Sequence, residues 1–276
     1  MRRQISDKLL LILAVLGGVL FSLGPFLWFA SIGFKPQVDI TAIPPTLFPQ
    51  HLSLSAVEGA IYKYNLLHFI KNSMIVATST TIICILVGSL AAYPLARLRI
   101  RFRRAILLGI LAVAMFPQIS IAGPVWRILR SLNWLNTYQG LIIPYLALTL
   151  PLTVWILANF FRQLPLELEE AARVDGATLF QTLTKVFVPL AAPGVFTAAI
   201  LTFIYSWNEF FFALLIMTET EMQTLPVGIA LFPGEYTMPW GEISAASTIS
   251  TIPLIIMALL FQKRIIAGLT AGAVKG

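Results

Sequence analysis

Residues 165–189, PLELEEAARVDGATLFQTLTKVFVP, form a polar island in a chain that otherwise reads as membrane. Pro165 suits the first turn of a helix, where its missing N–H would have no partner, and Glu167, Glu169 and Glu170 bring negative charge to the positive helix end. Leu168, Ala171, Ala172 and Asp175 fall on neighbouring helical rows, which predicts a small-residue face that a partner surface can approach closely. Gly176 supplies a turn. Thr178, with Gln181 three residues on, predicts a capping box that opens a second helix. Leu179, Phe180, Leu183, Val186 and Phe187 give that helix an apolar stripe, and Pro189 is expected to end it. The expected product is an amphipathic elbow of two short helices.

On both sides of the elbow the solvent is lipid: 58% of residues are hydrophobic and 11% charged, far from the balance of a soluble domain. A helix rises about 1.5 Å per residue and the hydrocarbon layer is about 30 Å thick, so a span needs roughly 20 apolar residues. Six runs qualify, at 9–32, 73–95, 105–126, 139–161, 193–217 and 243–261. None shows the period-two alternation of a membrane barrel, so helices follow. The expected fold class is all-α: a polytopic membrane protein with six transmembrane helices, organised as one membrane domain over 1–276.

The first run follows Arg2, Arg3 and Lys8 like a secretory signal, but it is longer than the roughly 7–15 residues of a signal core, and Trp28, Phe29, Phe34 and Lys35 occupy the place of a small-residue cleavage site. A retained anchor is the expectation. With the N-terminus inside, fourteen of the nineteen Lys and Arg residues fall in inner segments, including Arg97, Arg99, Arg101, Arg103 and Arg104 together. That bias predicts both termini in the cytoplasm. It also accounts for the net charge of +7: the arginine cluster flanks a span and meets anionic lipid headgroups, and nucleic acid is not the expected partner. The single cysteine, Cys84, lies inside the second run, and His51 and His68 stand apart, so no disulfide or metal site is expected.

Two outer loops follow from this topology, at 34–72 and 218–241. The first holds Pro36, Pro44, Pro45 and Pro49, which argue against a helix in its first half; 57–70 has the pattern of a short surface helix. Pro117, Pro124, Pro144, Pro151 and Pro253 lie inside spans, where they bend helices either around a pathway or for packing. Glu209 falls roughly 21 Å along the fifth run counted from Val195, at about 1.5 Å per residue. A carboxylate at that depth must face protein or water. Beside Trp207 and Asn208 it either faces cargo in a watery cavity or bonds to another helix.

The spacing of Glu170-Ala171-Ala172, Gly176, Val186, Val188 and Pro189 resembles the signature loop of membrane subunits of bacterial ATP-binding cassette (ABC) importers, with valine where that family commonly has isoleucine and leucine. Further likeness lies in Phe34-Lys35-Pro36, Pro44-Pro45, Asn72-Ser73, Ala91-Ala92-Tyr93, Trp207-Asn208-Glu209-Phe210, Leu225-Pro226-Val227-Gly228 and the tail from Gly268 to Gly276. Together these strings are similar to the second permease subunit of maltose- and trehalose-type sugar importers. The resemblance implies a type I importer permease fold in the inner membrane, a second homologous permease, two cytoplasmic ATPase subunits that bind ATP and Mg, and an extracytoplasmic sugar-binding protein. It implies that Glu170, Ala171, Ala172, Asp175 and Gly176 contact an ATPase, and that Trp207, Asn208 and Glu209 belong to the pathway or its gate. Gly234, Glu235 and Tyr236 would face the binding protein, unless 218–241 is only a connector, and the tail beyond Gln262 would lie against the ATPases unless it is a loose end. The same resemblance places most of the sugar site in the other permease.

This chain has no Walker-type phosphate loop, so no enzymatic activity and no cofactor of its own are expected. The rival reading is a proton-coupled secondary transporter that uses Glu209 as carrier, because buried acids serve pumps in that way. Such a protein needs no elbow.

Overall fold

The computed structural model describes residues 2–232 and 238–270, all of their regular structure being helical. We number the main helices α1 (Arg2–Ile32), α2 (Leu66–Arg97), α3 (Arg103–Ala114), α4 (Gln118–Ser131), α5 (Tyr138–Gln163), α6 (Glu167–Val174), α7 (Leu179–Leu190), α8 (Ala192–Asn208), α9 (Phe211–Ile216), α10 (Leu225–Ala230) and α11 (Trp240–Thr270). Two compact units emerge, one from Met1–Leu67 and Gly228–Ile252, the other from His68–Val227 and Pro253–Gly276.

Four helices are long and apolar enough to cross a membrane unbroken: Leu10–Ile32, Leu66–Arg97, Tyr138–Gln163 and Trp240–Gln262. The third expected span is not one straight helix. Its halves α3 and α4, of 12 and 14 residues, meet at 84° across Met115–Pro117, and neither half alone reaches across a layer of about 30 Å. Pro117 has no N–H for the preceding turn and adopts extended ψ, which ends the ladder. The fifth expected span stops at Asn208; Glu209 is extended, and the chain resumes as the six-residue α9. The described residues therefore hold four spans, or up to six if each of two bent pairs, α3 with α4 at 84° and α7 with α8 at 83°, is one span. Pro124, Pro144, Pro151 and Pro253 stay inside their helices.

In the first unit, α1 exposes its apolar side chains all round from Leu10 to Leu23, as a helix bathed in lipid does. Where it ends, Gly33 comes so near α11 that a Cβ on it would meet the backbone of Ala245 at 2.8 Å. Lys35 is buried, donates to the Thr46 carbonyl at 2.5 Å and lies over the Trp28 ring. Between α1 and α2, Gln37–Ile40 and Ser55–Glu58 are short helices, the latter extended by a π-turn at Gly59–Lys63. Asn65 has a positive φ, and α2 begins at Leu66, several residues before the expected 73.

The second unit is built on α5, which packs along α3 and α8. Its core gathers Leu157, Phe161, Phe187 and Ala198 at one end and Leu141, Tyr145, Phe212 and Ile216 at the other. Small residues allow close approach: a Cβ on Gly88 would meet the Thr153 methyl at 2.8 Å. Beside it, Thr153 Oγ1 lies 3.2 Å from Cys84 Sγ and 3.1 Å from Thr202 Oγ1, a buried polar contact that ties α2, α5 and α8. In lipid such groups find partners across helices because no water is available.

Candidate functional site

Two places in the second unit combine polar chemistry with exposure, and α8 joins them. The first is the elbow. Helix α6 starts at Glu167, two residues after Pro165, and ends in a Schellman motif: Ala177 N–H donates to the Ala172 carbonyl at 2.9 Å and Gly176 N–H to that of Arg173 at 3.1 Å. Gly176 has φ +74, the left-handed conformation that this motif needs and that glycine adopts without steric cost. Thr178 follows at once with the capping box: Gln181 N–H donates to its Oγ1, and its own N–H donates to Gln181 Oε1.

Two expectations for the elbow change. Pro189 does not end the second helix, which runs to Leu190 and turns at Ala191. A π-turn at Thr182–Phe187 widens the ladder where the proline ring would meet the carbonyl four residues back. The apolar stripe is also divided. Leu183 and Phe187 face the core, where Phe187 packs edge-on against Tyr93 and Phe161 and beneath the Arg97 guanidinium, while Leu179 and Phe180 are 56% and 64% exposed. Arg97 also donates to the Leu164 carbonyl, holding the entry of the elbow against the end of α2.

Of the five elbow residues singled out in the sequence, Glu170, Ala171, Asp175 and Gly176 are exposed, and Ala172 is turned inward. The exposed tip also carries Leu166 and Val174, which the small-residue reading passed over although Val174 is 88% exposed. The Arg173–Glu169 pair at 3.2 Å is a solvated i,i+4 contact that adds little.

The second place lies at the far end of α8, 17 residues or about 25 Å from the elbow. Trp207, Asn208 and Glu209 do not act as a set there. Trp207 is 2% exposed, with its indole stacked on Phe203 at 5.7 Å, and has no free face to offer. Glu209 is buried and fully engaged: Oε1 accepts from Phe212 N–H at 2.9 Å, and Oε2 accepts from Ala213 N–H at 3.2 Å and from the Tyr145 hydroxyl at 2.5 Å. It caps α9 and ties the broken span to α5. Only Asn208 is exposed, its Nδ2 donating back to the Ile204 carbonyl at 2.8 Å.

Beside Asn208 opens a cleft of about 450 Å³, lined by Gln118, Tyr205, Asn208, Phe210 and Phe211, with Glu209 behind. Gln118 Nε2 donates to the Tyr205 hydroxyl oxygen at 2.5 Å. Neither residue was singled out in the sequence. Gln118 directly follows the expected break at Pro117, the one signal that pointed to it.

Near α2 the segment after α9 is pinned. Asn72 donates to the carbonyls of Glu221 and Gln223, and Ser73 Oγ accepts from Leu225 N–H. The neighbouring Thr218 and Glu219 N–H groups both donate to Asn136 Oδ1. Gly234, Glu235 and Tyr236 lie outside the described residues, as does the end of the tail from 271.

A helical membrane protein with a polar cleft at one end of a broken span and an exposed, doubly capped elbow at the other has the architecture of a transport subunit. Over the whole of both chains it is 44% identical to the trehalose/maltose transport system permease protein MalG of Thermococcus litoralis. It is 43% identical to the sulfoquinovosyl glycerol transport system permease protein SmoH of Agrobacterium fabrum, over 91% of this chain and 88% of that one. The crystal structure of a bacterial ABC transporter involved in the import of the acidic polysaccharide alginate contains a chain with the same fold, at TM-score 0.77 and 26% identity, covering 94% of this chain and 97% of that one. Residues 84–270 match the binding-protein-dependent transport system inner membrane component family, and the chain belongs to that family.

It is therefore the non-catalytic permease subunit of an ABC sugar importer, a multi-pass protein of the cytoplasmic (inner) membrane with the type I permease fold. ATP is hydrolysed by a partner, and the family works with a second permease and a binding protein.

Proposed function

We propose that this chain forms half of the translocation pathway for a neutral di- or oligosaccharide such as maltose or trehalose, with its termini and elbow in the cytoplasm. Glu170, Ala171, Asp175 and Gly176 dock on one of two ATPase subunits, which bind the ATP and Mg, with Ala172 supporting the tip from within. The segment 218–241, with Gly234, Glu235 and Tyr236, faces the extracytoplasmic binding protein. The observation that carries this reading is the elbow: its exposed tip is set by two consecutive capping motifs around Gly176, and its second helix leads directly into α8 and the cleft. The sugar class rests on the cleft, whose described lining has no Lys or Arg to neutralise an acidic sugar, and on the likeness to a trehalose/maltose permease. The three bonds that hold Glu209 support a structural carboxylate over a proton carrier, which would have to release them at every cycle.

The test is Gly176→Val against Gly176→Asn in the assembled importer. Valine at φ +74 costs about 1–2 kcal/mol of backbone strain, whereas asparagine tolerates that region. Binding-protein-stimulated ATP hydrolysis should fall in the valine variant and largely persist in the asparagine variant. Full stimulation in Gly176→Val and in Glu170→Lys would defeat the docking assignment. Failure of the wild-type complex to take up either maltose or trehalose would defeat the sugar assignment.

A further inference from the structure

We propose that this chain contributes its own carbohydrate subsite, formed by Gln118, Tyr205, Asn208 and Phe210 in the cleft at the break of the fifth span. The proposal rests on the sugar-importer reading and deepens it by assigning sugar contacts to this subunit's own residues. Hydrogen-bond bookkeeping carries it. The Tyr205 oxygen accepts from Gln118, so the phenol proton is left to donate. Gln118 uses one amide N–H in that bond and Asn208 one on the Ile204 carbonyl, which leaves each with a second N–H to donate and an oxygen, Oε1 or Oδ1, to accept. Donors and acceptors beside each other match sugar hydroxyls, each of which donates and accepts. Phe210, 40% exposed, and Phe211 add apolar ring surface for the C–H face of a pyranose.

Volume and charge agree. About 450 Å³ lies within the roughly 300–1,000 Å³ of small-molecule sites. Both oxygens of Glu209, the one acid in the lining, are occupied by Tyr145 and the start of α9, so the groups left to recognise cargo are uncharged. The Gln118–Tyr205 bond also reaches from α4, just past the 84° break, to α8. A sugar hydroxyl that competes for Tyr205 loosens that bond, which links cargo to the two broken spans.

The experiment uses the reconstituted importer at saturating loaded binding protein and compares uptake of maltose and trehalose, two neutral disaccharides with different hydroxyl arrangements. Tyr205→Phe removes one hydroxyl, and Gln118→Leu and Asn208→Ala one amide each. If these groups touch cargo, the ratio of the two uptake rates should shift by about three- to tenfold in at least Tyr205→Phe, the range of one hydrogen bond. An unchanged ratio in all three, or loss of assembled complex in all three, overturns the subsite. Sugar affinity of the isolated binding protein is measured alongside, so that a shift arising there is recognised. A wild-type complex that transports neither sugar refutes the functional reading and not the subsite alone.

Discussion

The Tyr145 hydroxyl donates to Glu209 Oε2 at 2.5 Å, joining the first third of one unbroken span to the point where another breaks. Tyr145 is fully buried on α5, and Glu209 sits in an extended link between α8 and α9. The bond accounts for an acidic side chain inside this helical unit: both carboxyl oxygens are paired, with one hydroxyl and two backbone N–H groups, and the residue is buried. Tyr145→Phe removes the one side-chain donor. Its cost should be about 1–2 kcal/mol, between the roughly 0.6 typical of interhelical bonds in membranes and the roughly 3 of bonds to charged groups. Equilibrium unfolding in mixed micelles measures it. In a cycle with Glu209→Gln, a coupling energy below about 0.3 kcal/mol would show that the bond contributes nothing.

Asn72 makes a prediction of unusual sign. Its Nδ2 donates to the Glu221 and Gln223 carbonyls at 2.8 and 2.9 Å, and its Oδ1 accepts from the Tyr138 hydroxyl at 2.8 Å. Asn72→Ala frees the segment after α9, and amide exchange over 219–225 should quicken by about tenfold. Asn72→Asp, closer in shape, should be worse, because a carboxylate cannot donate and would face two carbonyl oxygens. Exchange as slow as in the wild type for both variants would rule out the pin.

Gly194 and Gly109 should respond in opposite directions to alanine. On α8 a Cβ at Gly194 would lie 2.2 Å from Phe160 Cγ and 2.8 Å from Phe160 Cβ, too near the α5 backbone for a rotamer change to relieve. Overpacking of this kind costs about 1–3 kcal/mol. Gly109 on α3 has nothing within 4 Å of that position, so alanine should stabilise by about 0.5–1 kcal/mol through helix propensity. Thermal midpoints of the two variants that move the same way would contradict the helix packing described above.

Much of the elbow was legible because its determinants are local. The Schellman bonds at Gly176 and the capping box at Thr178 join residues three to five apart, so residue type and spacing suffice to predict a turn and a second helix. Pro189 was misread because a proline's effect depends on the ladder before it, and a π-turn leaves no mark in residue type. Near the cleft, spacing located the polar residues Trp207, Asn208 and Glu209 but not their directions. Adjacent helical residues point about 100° apart, and here the three part ways to core, cleft and cap.

Composition and the run lengths by themselves determined that this is an all-helical membrane protein, since hydrocarbon leaves a long apolar chain no other way to satisfy its backbone. The sequence likewise determined the elbow, whose hydrogen bonds close within one turn. Only the tertiary structure decided that two expected spans are broken, that Ala172 faces inward, and that Gln118 and Tyr205, 87 positions apart, meet across a cleft. Those outcomes depend on how each helix is rotated against its neighbours. Rotation is settled by the summed packing of many side chains, none of which carries the answer alone.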